Sequence, residues 1–413
     1  MSVSKRDREI VRGLAGRVAE IAADPVQERT ISLWKALNSL APVRPMVMID
    51  QIPWHEMEVN GELTLEAEDD FCRSIETTLR RTLYAWRHMR ADMVVEPVVE
   101  IPKVIRDTGF GIETVERRAV SDPRSDVVGH FYIDQLKTEK DILKIREPEI
   151  ALDEEATAEA AEKAHALLDG LLDVRMQGWT PGFAPWDIIV RRRGAENVLL
   201  DLADRPEFMH RIIARLTDAH LSMLDQLEKQ GLLGPGQSTI HCTGAYTEEL
   251  PAPGYDSERP RARDLWTYSM AQIFSSVSPA MHQEFELDYA KRWQSRFGLV
   301  YYGCCEPLDM KIGIVRRIPH LRKISMSPWV DVERGAEQIG REFVFSRKPS
   351  PALLASEAWA PDAVERDLRD TLERCRRHGC PVELILKDIS TVRYQPQRLW
   401  EWADIAMRVV GGS

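Results

Sequence analysis

The chain has 413 residues, 44% of them hydrophobic, with 55 basic and 66 acidic side chains for a net charge of −11. That length and apolar content suffice for one large α/β domain with additions, or for two domains. The acidic balance speaks against a nucleic-acid binder, which needs a basic face. No run of 18 apolar residues occurs, and the charged start MSVSKRDREIVRGLAG has no apolar signal core, so no membrane partner and a cytoplasmic location are expected. Six scattered cysteines (Cys72, Cys242, Cys304, Cys305, Cys375, Cys380) are too few for a disulfide scaffold and read as reduced thiols.

Residues 5–40 read as helix, part of an N-terminal helical extension over residues 1–43. RPMVMID is a short buried strand, followed by Pro53, Trp54, His55 and Glu56 at its carboxyl end. DDFCRSIETTLRRTLYAW carries a helical stripe of Phe71, Ile75, Leu79, Leu83 and Trp86, with Cys72 beside it as a small buried hydrophobe. ADMVVEPVVEIP reads as a second strand ending near Glu96 and Pro97. Residues 100–150 show little periodicity and read as an insertion in which VVGHFY is a strand or hairpin piece. EEATAEAAEKAHALLDGLLDV is an Ala-rich helix. VRMQGWTPGFAPWDIIV is a strand followed by a Gly, Pro and Trp loop over a site mouth.

RPEFMHRIIARLTDAHLSMLDQLEKQG is the clearest helix, with Gly231 as its stop. His210 and His220 lie on it and read as surface or interface residues. Further strands are expected at STIHCTG, AQIFSSVSP, LVYYGCC, LRKISMSPW, FVFSRKPSP and CPVELILKDIST, with helical runs between most of them. PDAVERDLRDTLERCRRHG places Cys375 in a core stripe. This alternation predicts a parallel α/β fold, most simply a (β/α)8 TIM barrel formed by residues 1–413 as a single domain.

Polar residues cluster at the predicted strand ends. They are His241 and Cys242; His282, Glu284 and Glu286; Cys304, Cys305 and Glu306; and Lys387 and Asp388. In a barrel such ends converge on one mouth. In LVYYGCCEPLD, Gly303 and Pro307 permit the bend that would bring Cys304 and Cys305 to one site. Thiolate, imidazole and carboxylate are zinc ligands, and three of them leave a fourth position open for water or a substrate heteroatom. No CxxC pair or HExxH helix is present. Buried strand cysteines, a core histidine, acids at a helix start and a buried ion pair are the plain structural alternatives for the same residues.

The order of elements, with AENVLLDLADRPEFMHRIIARLTDAHLSMLDQLEKQG, SSVSPAMHQEFELDYAKRW and LVYYGCCEPLD, resembles the uroporphyrinogen decarboxylase superfamily over roughly Ile31 to Val410. The branch it is similar to is that of the cobalamin-dependent methyltransferases. Where the decarboxylases proper carry an arginine-rich phrase after the first strand, this chain reads DQIPWHEM. Cys304 matches the first cysteine of the methyltransferase zinc motif, Tyr302 stands in its histidine position, and Lys387 and Asp388 stand where that branch has a second cysteine near the last strand.

The resemblance implies a metal-dependent methyltransferase. It would move a methyl group between a small O-, N- or S-methylated substrate and a thiol or a corrinoid carried by a separate protein. Metal ligands are then expected at Cys304, Cys305, His241 and Glu284, of which only Cys304 is carried over from the motif. Glu306, Lys387 and Asp388 are expected as catalytic, and Trp54, His55, Tyr302 and Glu286 as substrate-binding. Homodimerisation is implied by the resemblance alone. The alternative is a metal-independent decarboxylase or lyase using Lys387 and Arg393 as cations, and a third reading is a barrel that only binds a ligand.

Overall fold

The computed structural model describes residues 3–41, 43–120 and 128–412. The sequence breaks the N-terminal helical run at Asp24–Pro25, where the Asp24 carboxylate accepts the Val26 N–H at 2.9 Å. Two helices result, α1 (Lys5–Ala22) and α2 (Val26–Asn38), in place of the single one expected. Helix α3 (Asp70–His88) is capped by Asp69 and buries Cys72, Ile75, Leu79 and Leu83 on one side. These side chains pack with Val11, Leu14 and Val18 of α1 and with Leu167 of the Ala-rich helix α4 (Glu154–Leu168). The longest helix, α5 (Pro206–Lys229), stops at Gly231, whose φ of +66° suits a residue without a Cβ. Helix α6 (Pro361–His378) buries Cys375 and ends the same way at Gly379, and α7 (Gln397–Gly411) closes the chain.

Eight short strands carry the frame: β1 (Met46–Ile49), β2 (Val98–Pro102), β3 (Asp173–Gln177), β4 (Trp266–Ser269), β5 (Leu299–Tyr302), β6 (Leu321–Met326), β7 (Val344–Arg347) and β8 (Val382–Leu386). Six form one parallel sheet in the order β1–β8–β7–β6–β5–β4. The first strand lies against the last, from Met46 opposite Glu383 to Ile49 opposite Leu386. Strands β2 and β3 form a separate parallel pair. At the two junctions stand single links: the Phe183–Ser269 bridge beside β4, and the Asp92 N–H to Val47 carbonyl bond of 3.0 Å beside β1. The molecule is thus a mixed α/β structure. Strands β5, β7 and β8 are buried along their whole length, as parallel strands covered on both faces must be.

Three further sequence expectations are corrected, and the hairpin piece expected at VVGHFY is found. The second strand begins at Val98, past Pro97, where the expected strand ended, and runs to Pro102. AQIFSSVSP is not a strand; the strand is the preceding WTYS, and Gln272–Ser276 form a 3-10 turn. STIHCTG is no parallel strand but a tight antiparallel hairpin, Thr239–Ile240 against Thr243–Gly244. Its two turn residues, His241 and Cys242, both have positive φ (+39° and +73°), the demand of a two-residue hairpin turn. Within residues 100–150, Ile105–Asp107 pair with Ile150–Leu152 and Glu116–Ala119 pair with Gly129–Tyr132, both antiparallel. Of VVGHFY, Val127 lies outside the described residues.

A fully buried ion pair, Lys323 on β6 to Glu383 on β8 at 2.8 Å, crosses the interior. Lys323 also donates to the Thr243 hydroxyl (3.2 Å) and the Gly244 carbonyl (3.0 Å), and Thr243 donates to Glu383 at 2.7 Å. The hairpin is therefore anchored inside the frame by its base, and its tip carries His241 and Cys242.

Candidate active site at the carboxyl ends of β5 and β8

Strand β5 ends at Gly303, whose φ is +93°. A Cβ there would lie 2.6 Å from Leu308 Cδ1 and 3.1 Å from Ser325 Cβ, so a glycine is required. The turn is pinned on both sides. Gly303 N–H donates to the Ser269 carbonyl of β4 (2.8 Å), and the Ser325 hydroxyl of β6 donates to the Cys304 carbonyl (2.8 Å). Glu306, fully buried, accepts the Cys304 N–H at 2.8 Å and the Ala271 N–H at 3.2 Å, tying the turn to the segment after β4.

The bend brings both thiols to one place, with 3.6 Å between Cys304 Sγ and Cys305 Sγ. Lys387, 2% exposed at the end of β8, donates to Cys304 Sγ at 3.2 Å and to the Asp388 carboxylate at 2.8 Å. Cys305 Sγ lies 3.6 Å from the same carboxylate. Asp388 N–H donates to Gln51 Oε1 at 3.1 Å, so the end of β1 joins the group. The His241 ring packs on Tyr268 of β4 (5.1 Å between centroids) and Tyr301 of β5 (5.2 Å), and its Nε2 is buried without a hydrogen-bond partner among the described residues.

Charge is distributed unevenly over the two thiols. Cys304 is lowered to about 3 by the hydrogen bond from Cys305, against burial, with His241 and Lys387 adding to the effect. Cys305 is pushed up by the same bond, by burial and by the Cys304 and Asp388 charges. One proton is thus shared out as a thiolate at Cys304 and a thiol at Cys305. Burial works to lower Lys387, but the Cys304 and Asp388 charges outweigh it and raise it. Burial and the Cys304 charge raise Glu306 to about 7 against its backbone N–H bonds.

Several residues at this site were not singled out from the sequence. Asp187, on the helix Pro185–Arg193, is raised by burial and by the Cys304 charge, while Gln272 holds it at 3.0 Å. The Gly, Pro and Trp loop before it was the available signal. Tyr268 is raised by burial and by the Asp187, Cys242 and Cys304 charges. Lys348 follows the buried run of β7 just as Lys387 follows β8, a parallel visible in the sequence.

Of the residues named from sequence, the structure assembles Cys304, Cys305, His241, Glu306, Lys387 and Asp388. It turns Glu284, Glu286 and Tyr302 away from the thiols. Glu284 is exposed and pairs with His210 of α5 at 3.0 Å, so it does not reach the thiols. A π-turn over Gln283–Leu287 sends Glu284 outward and Glu286 into the core. Tyr302 follows the inward-facing Tyr301 and so faces the surrounding helices. There its hydroxyl donates to Glu286 at 2.9 Å and meets His282 at 2.6 Å, forming a buried polar network. Trp54 packs edge-on against Tyr84 (5.9 Å), and His55 lies between Glu56 (3.7 Å) and Tyr394.

Among the described residues, no three or more His, Cys, Asp and Glu side chains are drawn together as a ready metal cage. The partial set is nevertheless of the right chemistry. Two sulfurs each about 2.3 Å from a tetrahedral zinc would stand about 3.8 Å apart, close to the observed 3.6 Å. The orphaned His241 nitrogen is a third donor. Lys387 is the group that competes for Cys304.

No protein-family model and no curated protein sequence matches the chain. Solved structures do. A methyltransferase from Methanosarcina mazei superposes with a TM-score of 0.50 at 12% identity, covering 93% of this chain and 98% of that one. At that identity the likeness is one of fold. Among the described residues no helix is long and apolar enough to cross a membrane.

Proposed function

We propose that the chain is a methyltransferase, built as a (β/α)8 barrel and related to the methyltransferase branch of the uroporphyrinogen decarboxylase superfamily. The first-to-last strand pairing, the parallel β2–β3 pair and the fold shared with the Methanosarcina mazei methyltransferase support this reading. We assign a zinc site to Cys304, Cys305 and His241. The observation that carries it is the 3.6 Å sulfur spacing beside a buried imidazole Nε2 with no hydrogen-bond partner among the described residues. When bound, the metal supplies a Lewis acid that stabilises charge on a substrate heteroatom as its methyl group is transferred.

The chain's own residues prepare that step. Gly303 and Glu306 fix the turn so that both sulfurs face the same space. Lys387, donating to both Cys304 and Asp388, adds to the effects of Cys305 and His241 that keep Cys304 deprotonated, the form a metal would require. Glu306, raised to about 7, is placed to hold a proton near neutrality, and burial raises Asp187 in the same direction. The substrate is a small O-, N- or S-methylated compound, and the acceptor is a thiol or a corrinoid on a separate protein.

Elemental analysis of protein purified without chelator tests the assignment. About one zinc per chain is expected, lost in Cys304→Ser and His241→Ala and kept in Glu284→Ala. Full zinc in Cys304→Ser would refute the ligand set. The 3.2 Å Lys387–Cys304 contact favours a second reading, a metal-independent lyase or decarboxylase working through the thiolate, and a metal-free wild type would bring it forward.

A further inference from the structure

Lys348 follows β7 and is 3% exposed. Its backbone N–H donates to the Met326 carbonyl at 2.8 Å, which fixes its Cα at the carboxyl end of the sheet. Its side chain crosses the Tyr301 ring, with Nζ 5.0 Å from the centroid. Among the described residues its amine donates to hydroxyls, the Ser346 Oγ at 2.8 Å and the Tyr301 OH. Those hydroxyls bond one another at 3.1 Å. The interior carboxylate Glu383 acts on it through its charge, while its hydrogen bonds go to Lys323 and Thr243.

A buried ammonium held by hydroxyls is costly, and loss of its proton relieves that cost. Burial lowers Lys348 to about 8 against the Glu383 and Cys242 charges, and the neighbouring Lys387 charge adds to the lowering. A desolvated lysine close to a second cation is the arrangement that yields a nucleophilic amine. Nearby stand Cys242, whose thiol senses the charges of both lysines, and His241, whose ring lies against Tyr301.

We propose that Lys348 is an amine nucleophile that forms a Schiff base with a small carbonyl compound, an aldehyde or 2-oxo acid, and that Tyr301 is its acid partner. The amine nitrogen attacks the carbonyl carbon and forms the C–N bond. The carbonyl π pair moves to oxygen, which takes up the proton the nitrogen releases. Tyr301 then donates its hydroxyl proton to that carbinolamine oxygen, water leaves, and the nitrogen lone pair closes the C=N bond. The Ser346 hydroxyl bridges the two groups and returns the proton to Tyr301. No oxidant and no metal enters this sequence, so it stands apart from the methyl-transfer reading.

The test is reductive trapping on the full chain. The protein is incubated with pyruvate and cyanoborohydride, and labelled peptides are mapped by mass spectrometry, with and without prior chelator treatment. Lys348 is expected to carry the carboxyethyl group at least about tenfold faster than exposed lysines such as Lys5, in both samples. Tyr301→Phe slows labelling of Lys348 by about a hundredfold, the usual size of a general-acid effect, without slowing Lys5. Labelling of exposed lysines with Lys348 untouched overturns the proposal, as does equal labelling of both. Both results come from the wild type, so they hold whether or not a variant folds. The metal content of the same samples reports on the zinc assignment separately.

Discussion

Glu306 gives the sharpest test of the site's electrostatics. It is fully buried, and its two oxygens accept the Cys304 and Ala271 N–H groups. Burial and the Cys304 charge raise its carboxyl from an ordinary value of 4.5 to about 7. The folded chain therefore binds this proton more tightly than the unfolded chain. The resulting stabilisation is complete below about pH 4.5 and is lost as pH rises through 7. A shift of about 2.5 units corresponds to about 3 kcal/mol. Glu306→Gln removes the titration and keeps the shape.

At pH 4 the variant should be less stable by about 1 kcal/mol, because one amide carbonyl must serve two N–H donors. By pH 8 its stability relative to wild type should have risen by about 3 kcal/mol and changed sign. Urea unfolding of chelator-treated protein at half-unit pH steps, with m-values compared, reads this directly. Parallel pH profiles for the two proteins would show that Glu306 is ionised throughout and that its burial is not the dominant influence.

Three further outcomes are expected. Lys387→Met removes an ammonium 3.2 Å from Cys304 Sγ, an interaction of up to about 5 kcal/mol at an effective dielectric of 20. In metal-stripped protein, iodoacetamide alkylation of Cys304 should be nearly independent of pH from 6 to 9 in wild type and climb steeply in the variant; superimposable profiles would exclude Lys387 as its counter-ion. Lys323→Met should cost about 3–5 kcal/mol by leaving Glu383 buried and unpaired, and pairing it with Glu383→Leu should restore most of that, as read from denaturant midpoints. Glu284→Ala should cost less than about 1 kcal/mol and leave Cys304 alkylation unchanged, because its partner His210 is on the surface.

Much of this architecture is written locally. The apolar runs that become β5, β6, β7 and β8 are legible because both their faces are covered, and LVYYGCCEP shows its bend through Gly303. The hairpin at TIHCTG is not legible. It lacks the Asn-Gly or Asp-Gly turn pair, and its positive-φ turn is imposed by Lys323, Glu383 and Asn38 gripping its base, all distant in sequence. Glu284 and Glu286 are separated by one residue, and only the π-turn decides which of them meets solvent. Lys348 carries the same local signature as Lys387. What distinguishes them is the partner each reaches, hydroxyls for one and a thiolate for the other, and that is settled by strands far along the chain.

The pairing of β1 with β8 also bears on how the protein is made. Residues 46–49 leave the ribosome long before residues 382–386, and the edge they present to those residues stays open in the interval. Contacts so distant in sequence slow folding and leave an unsatisfied strand edge available to other nascent chains. The Cys304 site spans the same divide, since Gln51, Cys304 and Asp388 meet only when that last strand arrives. A chain cut before residue 382 would thus have neither a closed edge nor a site.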